Sequence, residues 1–410
     1  MRERTMDTVA AVQKLSLRLP LTRWDVAGAF GDIGILFPIA IALVSLNHMN
    51  PTAVFLAAGL AYVFAGAYFK IPMAVQPFKA VAAIALAFEL PPSSIATAGL
   101  LMGVLLALIG LTNVVTPLGK LFTLPIVRGI QLGLGLILLR EGVRLALGAR
   151  STPLVLGGTA VRAWEIAVGS ALVLLAFRRS RRYPSALVLL GAGALLGLLA
   201  HGQGWRSLTW GPVPLSFLHP HADEVWRVLV ALVLPQFALT FGNSIVASEN
   251  TAQVLYGTQA RRVTVRALSL SIGLTNLLSS LFTAAPTCHG SGGITAHYKF
   301  GARTQKSSYV IGGVCLFLAL FGRGAVGLLD LIPTAVLGVF LVYVGIQHGA
   351  LIRDIVGHRR SLFIAGCVGL VSLAKTNLTY GFVAGFLLEG LFLLSRKLGA
   401  RQAPAESGGI

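Results

Sequence analysis

Charged residues, and acidic ones above all, are scarce in this sequence. Only 11% of its 410 residues are charged, and 14 Asp and Glu stand against 33 Lys and Arg. Because a soluble globular domain carries about 25% charged residues, this chain lacks the polar surface that a water-soluble protein of its size needs. With a mean hydropathy of +0.80 and 55% hydrophobic residues, the composition indicates a protein embedded in a membrane.

Cysteines and signal-sequence features are also sparse. Cys288, Cys315 and Cys367 lie in or beside apolar stretches; this excludes a disulfide framework, and no Cys and His spacing fits a metal site. The sequence therefore predicts no cofactor and no metal. The first 23 residues are polar and basic. Because they contain no short apolar core before a small-residue cleavage site, we expect the first span to be retained.

Long apolar runs dominate what is present. Runs of roughly 17 to 25 residues match a hydrocarbon core of about 30 Å at a rise of about 1.5 Å per residue. They predict an all-α polytopic membrane protein with fourteen spans. The predicted spans are 24–46, 51–69, 73–88, 93–118, 123–147, 161–178, 184–200, 225–247, 262–283, 286–300, 307–322, 325–346, 361–374 and 377–395.

The formal net charge of +19 raises the question of a nucleic-acid partner. In membrane proteins Lys and Arg collect in cytoplasmic loops, and the fourteen-span threading puts the basic clusters 178–182, 261–262 and 359–360 on one side of the membrane. We therefore predict a multi-pass protein of the cell membrane, surrounded by lipids and with both termini cytoplasmic. No nucleic-acid partner is expected.

An internal echo divides the chain into two halves. Phe30-Gly31-Asp32 recurs as Phe241-Gly242-Asn243, and the same offset of 211 residues carries Gln76-Pro77 onto Thr287-Cys288. If each repeat contains seven crossings, an odd number, the second repeat enters the membrane from the opposite side. Such inverted repeats are typical of secondary transporters, whose substrates bind near the midplane between the halves.

Two spans at repeat-related positions are interrupted. The apolar helical run that begins at Pro77 ends at Phe88 after 12 residues, and it would cover about 18 Å. Residues 286–293 are too rich in glycine for a continuous transmembrane helix, and a short run follows from Gly290 to Phe300. We therefore predict half-helices at spans three and ten, whose N-termini present unpaired N–H groups to an anion.

Lys79 and Asp32 are charges at membrane depth. A cation in the first turn of a helix opposes the helix dipole, and a charge in the bilayer costs at least about 2.5–3.5 kcal/mol. Lys79 therefore needs a negative partner, and the sequence leaves open whether Asp32 or a substrate anion supplies it. Asp32 is the candidate for proton coupling, whereas its repeat mate Asn243 is neutral. The candidate substrate-binding residues are Gln76, Lys79, Gln236, Asn243, Thr287, Cys288, His289, Gly290, Ser291 and Gly292.

Three segments carry a family resemblance. FGDIGILFPIAIAL, IPMAVQPFKAVAAIA and APTCHGSGGITAHYKFGAR resemble motifs of the molybdate transporter family, which is related to the sulfate permeases. The resemblance implies fourteen spans in two inverted repeats of seven, a fold shared with the sulfate permeases and the uracil permease. It also implies an anion held between the third and tenth half-helices, and a core domain that moves against a gate domain.

The resemblance assigns spans one to four and eight to eleven to the core domain and the other spans to the gate domain. The resulting boundaries are a cytoplasmic tail at 1–23, core segments at 24–122 and 224–322, gate segments at 123–200 and 323–397, an outer loop at 201–223 and a cytoplasmic tail at 398–410. The sequence does not fix the oligomeric state, and a homodimer is one option.

The sequence thus predicts a secondary transporter for a tetrahedral oxyanion, and the choice of molybdate rests on the resemblance alone. Tungstate and sulfate are the nearest other substrates. A sulfate permease and a passive anion channel of the same fold are the alternatives. An enzyme built on Cys288 and His289 is disfavoured, because adjacent residues of an extended segment point to opposite faces. No enzymatic activity is predicted.

Overall fold

The structure is a computed structural model, and it describes most of the chain. The described residues are 21–112, 123–149, 154–177, 185–201, 210–220, 222–324, 327 and 331–402. The predictions for the tails at 1–20 and 403–410, for residues 202–209 of the outer loop and for the basic cluster 178–182 lie outside them.

Helices make up nearly all of the described structure. They are α1 (Arg23–Ala29), α2 (Ile33–Asn47), α3 (Pro51–Phe69), α4 (Lys79–Phe88), α5 (Pro92–Leu111), α6 (Leu124–Ala146), α7 (Ala163–Phe177), α8 (Ser185–His201), α9 (Ala222–Arg262), α10 (Val265–Leu281), α11 (Ser291–Lys299), α12 (Lys306–Leu320), α13 (Thr334–Ile355), α14 (Arg359–Lys375) and α15 (Leu378–Gln402). The strands are β1 (Gln76–Pro77), β2 (Leu154–Leu156), β3 (Thr159–Val161) and β4 (Thr287–Cys288).

These helices confirm a multi-pass, mostly helical membrane protein. Each predicted span contains a helix, with α1 and α2 sharing the first. Among the described helices, α3, α5, α9, α13 and α15 are long and apolar enough to cross a membrane, and α1 and α2, bent by 40°, form a sixth candidate. The count of fourteen crossings stays a prediction.

The helices break where the sequence predicts interruptions. β1 pairs antiparallel with β4, so that Gln76 lies opposite Cys288 and Pro77 opposite Thr287. The helical run was expected to begin at Pro77, and this detail is wrong, because α4 begins at Lys79. Pro77 is extended within the strand pair, and the Phe78 N–H donates to the Pro286 carbonyl oxygen at 2.9 Å, so the backbone before Lys79 is committed to pairing.

Both helices that follow the strands are short. α4 has 10 residues and α11 has 9, which correspond to about 15 and 14 Å at helical rise. Each is about half as long as the hydrocarbon core is thick. Gly290 is the N-cap of α11, so this helix starts where the glycine-rich segment predicts it.

Three helices continue well beyond the predicted spans. α9 continues to Arg262, α13 to Ile355 and α15 to Gln402, whereas the predicted spans end at residues 247, 346 and 395. α9 also contains two π-helical stretches, Leu229–Val233 and Thr240–Val246. Such stretches rotate the side chains that follow and recur at functional sites.

Glycines allow the closest helix contacts. A Cβ atom at Gly142 would lie 2.6 Å from the Gly338 carbonyl oxygen, and one at Gly345 would lie 2.7 Å from the Gly135 carbonyl oxygen. α6 and α13 therefore approach through small residues, as is typical of membrane helices. Extensive contacts also join α5 to α10 and α3 to α12.

Candidate functional site

A cavity of about 180 Å³ lies where the N-terminal ends of α4 and α11 meet α9. It could hold several waters or one small anion, since a water occupies about 30 Å³ of the liquid. Six of the predicted ligands line it: Lys79, Gln236, Asn243, Cys288, Ser291 and Gly292. The other lining side chains come from α2, α6, α9 and α13.

Lys79 is the charged residue of this cavity, and no Asp or Glu is among the described residues that line it. It is the first residue of α4. Within the described chain no carboxylate oxygen lies within 4.0 Å of its ammonium group. The ion pair between Lys79 and Asp32 that the sequence leaves open is therefore not formed in this structure, and the cavity has a net positive charge.

The N-terminus of α11 is open to the cavity. No described acceptor bonds the backbone N–H groups of Ser291 and Gly292. A Cβ atom at Gly292 would find no atom within 4 Å, so the backbone is accessible there. The Ser291 hydroxyl donates to Asn243 Oδ1 at 2.9 Å, which fixes both side chains at the cavity wall. Free N–H groups at a helix N-terminus attract anions.

The N-terminus of α4 is closed by a side chain from another helix. The Ala80 and Val81 N–H groups donate to Gln236 Oε1 at 2.9 and 3.4 Å. The N-cap residue of α4 provides no side-chain hydrogen bond, and the Gln236 amide caps the helix in its place. Its Nε2 group donates to Thr240 Oγ1 at 2.9 Å, and the two half-helix ends are therefore not equivalent.

Thr287 lies in the break and outside the cavity lining. Its N–H donates to Asn276 Oδ1 at 2.8 Å, and its carbonyl oxygen accepts from Asn276 Nδ2 at 2.7 Å. The buried Asn276 amide on α10 thus satisfies both the N–H and the carbonyl group of Thr287, which have no helical partners in the break. The break is fixed by side-chain hydrogen bonds, and sequence reasoning did not single out Asn276.

Cys288 and His289 point in opposite directions, as expected for an extended segment. Cys288 lines the cavity. The His289 ring lies outside that lining, with Nδ1 at 2.8 Å from the Ala74 carbonyl oxygen and Nε2 at 2.8 Å from Ser271 Oγ. Because a carbonyl only accepts, Nδ1 donates in the first bond. With both ring nitrogens engaged away from Cys288, the pair does not form a nucleophile and base.

Asp32 and Gln76 form a buried network behind α11. Asp32 is 0% exposed and accepts from the Tyr62 hydroxyl at 2.8 Å and from Gln76 Nε2. Gln76 Oε1 is buried without a described partner. A side chain at Gly290 would overlap the Gln76 amide, and one at Gly293 would overlap Ala74, Asp32 and Gln76. Asp32, Gln76 and Gly290 therefore lie next to the cavity wall and do not line it.

Several polar lining residues escaped the sequence analysis: Gln131, Ser244, Gln347 and His348. Gln347 and His348 were placed in a loop, because the apolar run ends at residue 346 although α13 continues. Gln131 lies within an apolar span, and a polar residue at membrane depth is itself a signal for a site. It accepts from Arg128 Nη1 at 2.9 Å.

Arg128 lies in the first turns of α6, and its Nε donates to Asp354 Oδ2 at 2.8 Å, so this ion pair joins α6 to α13. Glu389 also has a partner that the sequence did not reveal, since Arg360 Nη2 lies 2.5 Å from its Oε2. Both ion pairs link residues more than twenty positions apart, which no local pattern reveals.

The sequence matches the protein family described as "Molybdate transporter of MFS superfamily" over residues 25–138 and 228–347. Molybdate transporter 2 of Arabidopsis thaliana is 28% identical, with 93% of this chain and 89% of that protein aligned. Molybdate transporter 1 of Chlamydomonas reinhardtii is also 28% identical, with 94% of each chain aligned. A probable sulfate transporter of Mycobacterium tuberculosis is 24% identical over 73% of this chain and 56% of its own.

Two solved structures share the fold of this chain. The transmembrane domain of the cyanobacterial bicarbonate transporter BicA superposes with a TM-score of 0.64 at 18% identity, covering 88% of this chain and 97% of that one. SLC26A9 superposes with a TM-score of 0.66 at 16% identity, covering 91% and 65%. At these identities the likeness establishes the fold alone.

Proposed function

Because the chain belongs to the molybdate transporter family, we propose that it is a secondary transporter that carries molybdate across the cell membrane. The family match includes both repeats of the predicted fold, and the relatives named molybdate transporters align over nearly the whole chain. Tungstate and sulfate are tetrahedral dianions too, and a sulfate transporter is among the relatives, so these two anions are the relevant competitors.

The electrostatics of the cavity carry this proposal. Lys79 gives it a positive charge, the N–H groups of Ser291 and Gly292 are free to bind oxygen atoms, and its described lining contains no carboxylate. A dianion there meets a cation and a helix N-terminus in a poorly screened environment. A cation or a nucleobase would find no carboxylate to pair with.

Transport would proceed by movement of the core segments 24–122 and 224–322 against the gate segments 123–200 and 323–397. Residues of both sets contact the same cavity, since Gln131 and Gln347 face it from the gate side and Lys79 from the core side. A substrate held between two such bodies is released to one side or the other as they move.

Fourteen spans in two inverted repeats of seven are part of the same proposal. Exchanging each span with its repeat mate maps the α6–α13 contact onto itself and exchanges the α5–α10 contact with the α3–α12 contact. The β1–β4 pair likewise joins equivalent positions of the two halves. A chain with two-fold related halves is expected to give this pattern. Two repeats of seven spans make an even total, which places both termini on the same side of the membrane, and the basic clusters make that side the cytoplasm.

Proton coupling through Asp32 is supported by its surroundings. The carboxyl is buried and has no described cation within 4.0 Å, which makes its charge costly. Protonation turns one oxygen into a donor, and the unpartnered Gln76 Oε1 is an acceptor on a side chain already in contact with it. Turning the Gln76 amide over would bring that acceptor to the new donor.

The proposal is tested by calorimetry and flux on purified protein. Molybdate, tungstate and sulfate are titrated separately, and we expect molybdate to bind tightest. Reconstituted vesicles should take up molybdate with saturable kinetics and with stimulation by molybdate on the opposite side, which separates a carrier from a channel. Tighter binding of sulfate would make this a sulfate permease, and the absence of binding by all three anions would refute the anion site.

A further inference from the structure

The two half-helix ends at the cavity are occupied differently, and the difference lies in Gln236. The α11 end has free N–H groups at Ser291 and Gly292. The α4 end has its Ala80 and Val81 N–H groups bonded to the Gln236 amide oxygen. Lys79, the cation, sits at this closed end. The part of the cavity with the strongest attraction for an anion is thus already filled by a neutral acceptor.

An amide oxygen on a helix N-terminus does what a substrate oxygen would do there. It accepts from the second and third N–H groups, as the side chain of an N-cap residue does. A negatively charged oxygen makes hydrogen bonds about twice as strong as a neutral one. An oxyanion that enters beside Lys79 therefore has both the geometry and the energy to replace the amide.

We propose that Gln236 is a tethered competitor of the oxyanion, holding the α4 N-terminus in the empty state and giving it up when the anion binds. This inference rests on the proposed function of the cavity. In this role Gln236 holds the α4 N-terminus when the cavity is empty, and it does not bind the anion itself. Competition keeps buried N–H groups satisfied between transport cycles, and it multiplies the apparent affinity by the fraction of sites that the amide leaves free.

Removing the amide distinguishes the competitor from a ligand by the sign of its effect. In Gln236→Ala the α4 N–H groups lose their acceptor, so the empty protein melts at a lower temperature and molybdate binds more tightly. We expect the Kd to fall roughly fivefold, the factor that corresponds to the loss of a helix cap of about 1 kcal/mol. A higher or unchanged Kd would overturn the inference. If the Gln236 side chain bound the anion directly, its removal would weaken binding.

A second variant covers the case in which Gln236→Ala does not fold. Gln236→Glu retains an acceptor of the same length and adds a charge that suits both the helix end and Lys79. We expect the empty protein to melt at a higher temperature and molybdate to bind at least about tenfold more weakly, because the competitor is now an anion. Binding as tight as that of the unmodified protein would contradict the proposal.

A matched control separates loss of a cap from loss of a site. Thr264 is the N-cap of α10, and its side chain accepts from the Ala267 N–H at 3.2 Å. Thr264→Ala should lower the melting temperature and leave the Kd unchanged. If the unmodified protein binds none of molybdate, tungstate and sulfate, the proposed function fails. If it binds molybdate and Gln236→Ala does not tighten that binding, only the competitor role fails.

Discussion

At the scale of single residues, charge and open space at the cavity decide what can bind. Lys79 has no described carboxylate within 4.0 Å, although an isolated charge at membrane depth is costly. Gly292 leaves its surroundings open. Lys79 supplies attraction for an anion, and Gly292 supplies access to the backbone. Both can be substituted without breaking a described side-chain hydrogen bond.

Lys79→Gln should weaken molybdate binding by roughly 10- to 100-fold, which corresponds to about 1.4–2.8 kcal/mol. The neutral amide removes the charge that attracts a dianion in a poorly screened cavity. Calorimetry measures the Kd, and a melting curve verifies that the protein is folded. Lys70→Gln is the matched control, because Lys70 follows α3 and lies outside the cavity lining. An unchanged Kd in folded Lys79→Gln protein would remove this lysine from the site.

Gly292→Val should abolish molybdate binding with little loss of thermal stability. A Cβ atom at this position meets no atom within 4 Å, so the branched side chain extends into the space that a ligand would take over the free N–H groups. Gly313→Val on α12 is the control, since a Cβ there also meets nothing within 4 Å and the position does not line the cavity. Retained binding in Gly292→Val would move the anion away from the α11 end.

At the scale of elements, the interrupted helices depend on contacts with other elements. The β1–β4 pair joins the two halves of the chain, and Asn276 of α10 bonds both backbone groups of Thr287 within the second half. The second π-helical stretch of α9, Thr240–Val246, contains the lining residues Asn243 and Ser244. Asp32, just before α2, accepts hydrogen bonds from Tyr62 of α3 and Gln76 of β1. Its protonation would therefore alter contacts among three elements.

Asp32→Asn should prevent a proton gradient from driving molybdate accumulation in reconstituted vesicles, because the amide cannot carry a proton. Molybdate binding should stay within about threefold, since the side chain does not line the cavity and threefold corresponds to about 0.65 kcal/mol. Asp25→Asn is the control, because Asp25 is also buried and its carboxyl accepts hydrogen bonds from the Thr22 and Thr304 hydroxyls at the start of α1. Gradient-driven uptake that persists in Asp32→Asn would exclude this carboxyl as the proton carrier.

At the scale of the whole molecule, the cavity lies between two sets of helices. Leu351 and Gln347 on α13 line it and are exposed, so the cavity opens toward the C-terminal end of that helix. In the proposed topology this end faces the cytoplasm. Cys288 lies deeper, 4% exposed, and reports on access to the site.

A membrane-impermeant, negatively charged methanethiosulfonate should modify Cys288 from the cytoplasmic side, and saturating molybdate should slow the reaction at least about tenfold. Both reagents are attracted by Lys79 and compete for one space. The experiment uses a Cys315→Ser, Cys367→Ser background, which leaves Cys288 as the reporter, and mass spectrometry measures the modified fraction. Protection that fails, or labelling from the outside alone, would contradict the proposed position or orientation of the site.

The sequence predicted some residues of the candidate site and missed others. Lys79, Ser291 and Gly292 were identified because a charge or a glycine-rich break within an apolar span conflicts with its surroundings. Gln131, Gln347 and His348 were missed, since the first drew no attention as an uncharged residue and the other two followed the end of an apolar run. Gln76, Thr287 and His289 belong to the motifs, yet their contacts are internal to the break.

The class of protein, the places where its helices break and its family could be predicted from the sequence, because hydropathy, glycine clusters and motifs are local properties of the chain. The contacts between side chains could not be predicted and became known from the fold. Arg128 pairs with Asp354, and Gln236 closes the α4 end while the α11 end stays open. Such pairings join distant positions, and their energy depends on geometry that only packing creates, so no pattern along the chain encodes them visibly.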